Sequence, residues 1–213
     1  DGTIDWWCLP DFDGAPVFAH LIDPQQGGLW RLGPATASAG VQRYLDHSGV
    51  LCTRWNADDG ELELTDAMLW HAPEFTADAG RRVLLRRLSC TRGRARCLHE
   101  LVPGTLATSQ ALMVVPAGSA APGDGVQWAG LWCSDARRGP QHTGAPFELA
   151  AGESVWVALA YREPADAWDL PRAQAALQLT LQAWAHWANR HPYLGAQRHA
   201  AAASVRAIRL LSY

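Results

Sequence analysis

The sequence contains no lysine, so all 18 of its basic residues are arginines. Its 21 acidic residues leave a net charge of −3, which provides no basic surplus of the kind that binds nucleic acid. No apolar run reaches the roughly 18–20 residues that a membrane-spanning helix needs, and there is no secretory signal pattern. We therefore expect neither nucleic acid nor a membrane as a partner.

The sequence also lacks the motifs that mark several enzyme classes. There is no G-x-S-x-G, no P-loop and no G-x-G-x-x-G, which leaves serine-hydrolase and nucleotide-binding chemistry without support. The five cysteines are scattered, and no pair has the C-x-x-C spacing of a zinc or redox site. We expect buried, reduced thiols, which favours a cytoplasmic setting.

Up to about residue 164, the sequence is a series of short strand patterns separated by turn signals. They lie at residues 50–55, 61–66, 81–90, 94–102, 125–134 and 153–161. The stretch NADDG predicts a hairpin between the first two, and Thr91–Gly93 predicts another between the third and fourth. The last pattern is apolar on both faces and is expected to be covered on both. Such a series predicts an antiparallel β-sandwich.

Two helical patterns follow the strands. Residues 170–190 carry apolar side chains at helical spacing, with Pro171 well placed in the first turn. Residues 196–213 predict a second helix, whose apolar stripe consists of Val205, Ile208 and Leu211. The chain stops inside this second pattern. We therefore expect a fragment from which the packing partner of the helix is missing.

The opening stretch, DGTIDWWCLPDFDG, places Trp6 and Trp7 among several aspartates. Aromatic faces beside carboxylates suit a sugar-binding site, although large aromatic residues are more often part of a core. A glycosidase needs two carboxyl groups, and the candidates by residue type are Asp5, Asp11, Asp13, Asp23 and Asp66. PDFDG predicts a loop, in which aspartates form turns more commonly than they act as a catalytic acid or base. Asp66 is expected to be a buried hydrogen-bond acceptor at a strand end.

Arginines are concentrated in the strand patterns on either side of Thr91–Gly93. They are Arg81, Arg82, Arg86, Arg87, Arg92, Arg94 and Arg96. We interpret them as a solvated outer sheet face, with contact to an anion or to a partner domain as the alternative. His99 and His186 are interpreted as structural.

Five stretches, taken in order, resemble the N-terminal sandwich domain of bacterial glycoside hydrolase family 15. They are DGTIDWWCLPDFDGAPVFAHLIDPQQGGLWRL, QRYLDHSGVLCTRWNADDGELELTDAM, VLLRRLSCTRGRARCLHELVP, FELAAGESVWVALAY and SVRAIRLLSY. The family includes glucoamylase-like and trehalase-like enzymes. The resemblance covers nearly the whole chain in one continuous order.

The resemblance implies a mainly β fold: an antiparallel, supersandwich-like β-sandwich over residues 1–168, then a linker helix and loop over 169–195. Residues 196–213 would begin a catalytic (α/α)6 barrel, truncated after its first helix. That barrel would carry both catalytic glutamates, so this chain is expected to hold no catalytic residue of an enzyme that cleaves α-glucosidic bonds with inversion. The implied partners are the barrel of the same chain and a disaccharide or oligosaccharide such as trehalose or a maltodextrin. No cofactor or metal is expected in this chain; the resemblance leaves open a phosphate or divalent metal and a homo-oligomer.

The sequence departs from the family pattern in the opening loop and in the second helix. The family has Arg where this chain has Asp11, Ser where it has Gly14, and Arg where it has Ala203. The expected substrate-binding residues, at the rim of the active site, are Trp6, Trp7, Asp11 and Phe12. Two alternatives remain open: a stand-alone carbohydrate-binding or interaction module, and a diverged, inactive paralogue.

Overall fold

A computed structural model describes residues 2–36, 38–45, 47–57, 59–70, 82–105, 112–138, 144–190 and 194–211. Within these ranges the chain forms twelve β-strands and two α-helices. The strands are β1 (Thr3–Ile4), β2 (Trp7–Leu9), β3 (Ala15–Phe18), β4 (Leu29–Pro34), β5 (Val41–Tyr44), β6 (Leu51–Ala57), β7 (Gly60–Met68), β8 (Val83–Val102), β9 (Met113–Pro116), β10 (Trp128–Cys133), β11 (Pro146–Ala150) and β12 (Ser154–Tyr161). The helices are α1 (Leu170–Arg190) and α2 (Arg198–Leu211). Arg81 and Tyr213, which the sequence patterns placed in a strand and a helix, lie outside the described residues.

The strands form two layers that share β8. The first half of β8 pairs with β7 and β12 in a layer with the order β5-β6-β7-β8-β12-β10-β9, and its second half pairs with β4 and β11. Neighbouring strands run antiparallel except β9 and β10, which are parallel. β1 extends the smaller layer beside β4, and β2 and β3 form a separate hairpin. The mainly β, largely antiparallel fold predicted from the sequence is confirmed.

The predicted hairpin at Thr91–Gly93 is wrong, because β8 runs straight through these residues. Gly93 lies opposite Gly60 of β7, and its carbonyl accepts a hydrogen bond from the N–H of Ala151. Neighbouring strands therefore take the backbone bonds that a hairpin would have made internally. Gly93 has φ +67°, and a β-carbon there would lie 1.9 Å from the carbonyl oxygen of Asp59, so this crossing between the layers requires glycine.

Two apolar layers hold the fold together. One fills the space between the sheets and includes Trp30, Leu64 and Leu88. The other lies on the outer face of the larger sheet, where β12 presents Trp156, Ala158 and Ala160 to the apolar side of α1. β12 is therefore covered on both faces, as predicted. A fully buried Leu or Phe side chain contributes about 1.5–3 kcal/mol, so burial in both layers stabilises the fold.

Helix α1 begins and ends where its pattern predicts. The side chain of Asp169 accepts a hydrogen bond from the N–H of Arg172 at 2.8 Å, which caps the first turn. Further along, the hydroxyl of Thr180 accepts a bond from the N–H of Trp70 at 3.2 Å. This second bond fixes α1 to the residues that follow β7.

Helix α2 lies against the domain through its arginines. The guanidinium of Arg206 stacks on the ring of Tyr44 at 4.2 Å, and that of Arg209 stacks on Trp70 at 4.7 Å. Val205 and Ile208, two members of the predicted stripe, remain 49% and 67% exposed. Within the described ranges, neither helix has the length and apolarity needed to cross a membrane.

Candidate functional site

The two adjacent tryptophans of the opening stretch have different surroundings. Trp7 is the first residue of β2; its ring is buried and stacks on Phe18 of β3, with ring centroids 6.2 Å apart. Trp6 immediately precedes the strand and is 46% exposed. Since neighbouring residues of an extended chain point to opposite sides, burying one of the pair exposes the other. Of the two, Trp6 alone presents a ring that a ligand could stack on.

Asp11 and Phe12 lie together in the turn that joins β2 to β3. The N–H of Gly14 donates to the carbonyl oxygen of Asp11 at 2.9 Å, which closes the turn. Phe12 stands at the tip and is 62% exposed. Trp6 lies at the other end of β2, and a strand of three residues spans roughly 10 Å. The fold thus joins Asp11 and Phe12 in one turn and places Trp6 apart from them; as substrate contacts all four residues stay predictions.

The carboxylate of Asp11 forms an ion pair with Arg82, the residue that precedes β8. The Arg82 guanidinium donates to Asp11 Oδ1 at 2.8 Å and to the carbonyl oxygen of Pro10 at 3.1 Å. Its side chain is only 16% exposed, and the carbonyl of the same residue accepts from the N–H of Tyr161 at the end of β12. Asp11 therefore has a structural partner whose backbone is bonded to the end of β12.

Among the other candidate carboxylates, those with partners also serve the fold. Asp23 Oδ1 accepts from the N–H groups of Gln25 and Gln26 at 2.8 and 3.0 Å, which is the geometry of a turn. Asp66 is paired with Arg86. Asp5 and Asp13 are exposed. Within the part of the chain that the structure describes, no three His, Cys, Asp or Glu side chains cluster closely enough to hold a metal ion.

The most elaborate polar cluster is sealed inside the sandwich. Arg86 is completely buried, and its guanidinium donates to Asp66 Oδ1 at 2.8 Å and to the carbonyl oxygens of Trp30 and Gly2 at 2.8 and 2.6 Å. It also stacks on the Trp30 ring at 5.0 Å. The arrangement ties the residues before β1 to β4, β7 and β8, and so fixes the start of the segment that leads to Trp6.

His99 of β8 extends this cluster. Its Nε2 accepts from the indole Nε1 of Trp30 at 3.0 Å, and its Nδ1 donates to the carbonyl oxygen of Arg138 at 3.2 Å. Burial is the largest cause that lowers the pKa of His99 to about 4, and the nearby charge of Arg86 acts in the same direction, so the ring is neutral near pH 7. Because the ring is 1% exposed, it has a structural role, in line with the interpretation of its sequence context.

Sequence reasoning missed the burial of Arg86, which it placed on a solvated face. The signal was present in the alternation of β8, where Arg86 stands between Leu84 and Leu88. Both leucines belong to the inner core, and side chains two residues apart in a strand share a face. The same alternation places Asp66 on the inner face of β7, as the register that pairs Asp66 with Arg86 requires. The two opposite charges were therefore predictable as a buried pair.

The abundance of tryptophan reflects packing. Nine of the eleven are buried: Trp7, Trp30, Trp55, Trp70, Trp128, Trp132, Trp156, Trp168 and Trp184. Where α1 passes the end of β7, two of these meet the half-buried Trp187 edge to face: the ring centroids lie 4.8 Å apart for Trp70 and Trp184 and 5.5 Å apart for Trp184 and Trp187. The excess of tryptophan therefore does not by itself indicate a sugar-binding surface.

Comparison with known proteins finds similarity in the first part of the chain. Residues 1–103 match the family described as trehalase-like, N-terminal. A trehalase of Mycobacterium tuberculosis is 30% identical over 115 residues, which cover 48% of this chain and 17% of that protein. A trehalase of Mycolicibacterium smegmatis matches to the same extent, and trehalase 2 of Sulfolobus acidocaldarius is 35% identical over 66 residues, 31% of this chain and 11% of that protein. No solved structure matches the chain.

These relatives are far longer than the matched segment, since the alignments span 17% or less of their length. The family match and the relatives agree on the same N-terminal part of the chain. Residues 1–103 therefore match the trehalase-like N-terminal family, which confirms that part of the resemblance read from the sequence.

Proposed function

We propose that this chain is the non-catalytic N-terminal part of a family 15 glycoside hydrolase that cleaves the α-glucosidic bond of trehalose with inversion. The observation that carries the proposal is the match of residues 1–103 to the trehalase-like N-terminal family, together with relatives that are trehalases. Trehalose is favoured over maltodextrins because each relative named above is a trehalase.

A non-catalytic role is supported by what the described carboxylates do. An inverting glycosidase needs an acid and a base about 6.5–9.5 Å apart, with a water between the base and the sugar. Asp11 and Asp66 are held in ion pairs, and Asp23 closes a turn. The acid and the base are then supplied by glutamates in the remainder of the parent protein.

The proposed partner is that remainder, an (α/α)6 barrel beginning near residue 196. The exposed side chains of Val205 and Ile208 on α2 offer an apolar face that suits packing against further helices. We accordingly assign residues 1–168 to the sandwich, 169–195 to the linker and 196–213 to the barrel.

A cytoplasmic location is part of the same proposal. All five cysteines are free, which suits a reducing compartment. Burial raises the pKa of the Cys97 thiol to about 12 and that of Cys133 to about 11, so both thiols stay protonated and unreactive near neutral pH.

The proposal is tested with the full-length protein encoded by the parent gene, incubated with trehalose and followed by proton NMR. Trehalose contains two α-linked glucosyl units, so inversion releases one α-glucose and one β-glucose for each molecule cleaved. Retention would release α-glucose alone before mutarotation. Cleavage with retention would refute the inverting mechanism, and a full-length protein that cleaves no α-glucoside would favour an inactive paralogue.

A second candidate function is a stand-alone carbohydrate-binding module. The exposed rings of Trp6 and Phe12 favour it, because exposed aromatic faces can stack on sugars. This candidate predicts that residues 1–213 bind trehalose or maltooligosaccharides in calorimetry and lose affinity in a Trp6→Ala variant. The hydrolase proposal predicts no measurable sugar binding by this segment alone, because most substrate contacts lie in the barrel.

A further inference from the structure

Arg82 connects the turn between β2 and β3 to the main sheet. One guanidinium donates to two successive residues of the turn, to the carbonyl oxygen of Pro10 and to the carboxylate of Asp11. The backbone of Arg82 is itself bonded to Tyr161 at the end of β12. A side chain that is 16% exposed and anchored in a sheet can therefore hold the turn in one position.

The tip of this turn presents two exposed side chains next to each other in sequence, Phe12 and Asp13. An aromatic face can stack on the apolar face of a glucosyl ring, and a carboxylate can accept hydrogen bonds from its hydroxyl groups. Gly14 sustains the tight shape of the turn, since a β-carbon at this position would lie 2.4 Å from the carbonyl oxygen of Leu9.

We propose that Arg82 is a positioning residue that holds the turn formed by residues 10–14 in place, so that Phe12 and Asp13 contact a glucosyl unit of the substrate. This inference rests on the proposed function. The Asp11 carboxylate then forms the ion pair with Arg82 and does not contact the sugar. An ordered turn lowers the entropy lost on binding. The contacts of Arg82 with the turn therefore affect substrate affinity, and the chemical step depends on groups elsewhere.

The test compares Arg82→Gln with the wild type in the full-length protein, with trehalose as substrate. We expect KM to rise about threefold to tenfold, with kcat within twofold of the wild-type value, because only binding is affected. Arg82→Lys keeps the charge but not the forked geometry, and should restore part of the loss. The double variant Arg82→Gln/Asp11→Asn should raise KM no further than Arg82→Gln alone, because both changes remove the same ion pair.

Arg54→Gln is the matched control. Arg54 also pairs with a carboxylate, that of Glu63 at 2.6 Å, but it lies across β6 and β7 and is not in the turn. This variant should leave KM and kcat unchanged. Hydrogen exchange provides a second readout: the N–H of Gly14, which closes the turn, should exchange faster in Arg82→Gln and at the wild-type rate in Arg54→Gln.

The outcomes separate the two proposals. An active wild type whose KM is unchanged by Arg82→Gln overturns the positioning role alone. An equal fall in kcat and kcat/KM with constant KM also overturns it, because the effect would then lie in the chemical step. A wild type that hydrolyses no α-glucoside overturns the proposed function, and this inference with it.

Discussion

Replacing Arg86 with methionine should destabilise the fold severely. The variant leaves the Asp66 carboxylate, whose side chain is only 11% exposed, without its counter-charge. It also removes the donors that the carbonyl oxygens of Trp30 and Gly2 use at 2.8 and 2.6 Å. Removing one partner of a buried ion pair costs about 3–5 kcal/mol, a large fraction of the roughly 5–15 kcal/mol that stabilises a typical domain. Guanidinium denaturation followed by tryptophan fluorescence measures the change.

The double variant Arg86→Met/Asp66→Leu is the control for this prediction. It removes both charges, and apolar side chains that replace a buried pair together are often tolerated. We expect it to be more stable than Arg86→Met alone. If Arg86→Met costs less than about 1 kcal/mol, or if the double variant costs the sum of the two single variants, the buried pair does not stabilise the fold as argued.

Three further predictions concern the stability of the fold. Because burial lowers the pKa of His99 from 6.5 to about 4, the unfolded chain binds a proton that the native chain excludes between these pH values. The free energy of unfolding should therefore fall by up to about 3 kcal/mol as the pH drops from 6.5 to 4. In urea titrations, the free energy of unfolding of His99→Gln should depend less steeply on pH than that of the wild type. Trp7→Ala should cost about 3–5 kcal/mol in denaturant titrations and Trp6→Ala less than about 1 kcal/mol, and equal losses would contradict their different burial. Gly49→Ala places a β-carbon 2.5 Å from Cζ2 of Trp184 and should lower stability by about 1–3 kcal/mol in thermal unfolding, whereas an unchanged midpoint would show that the ring can move away.

The elements were largely predictable because their patterns are local. The alternation in β7 and the helical spacing in α1 each follow from one buried face, and the structure places both elements where the patterns do. The continuity of β8 was not predictable in this way. Thr91–Gly93 has the chemistry of a tight turn, and only the backbone bonds offered by β7 and the residues after β11 decide that the strand continues.

The opening stretch was harder to read, because its composition suits both a turn and a sugar site. The aspartates of PDFDG were expected to form turns, and Asp11 does so while also pairing with Arg82. That partner is 71 residues away in the sequence, beyond the reach of local patterns. Trp7 is buried, and Trp6 is not, because Trp7 stacks on Phe18. This is likewise a tertiary contact, which local patterns do not predict.

The central claim is that the catalytic groups lie outside residues 1–213, and a direct activity comparison tests it. Purified residues 1–213 and the full-length protein are incubated with trehalose under the same conditions, and released glucose is measured. We expect rapid release by the full-length protein and none above background by residues 1–213. Turnover by residues 1–213 at a rate like that of the full-length protein would contradict the claim.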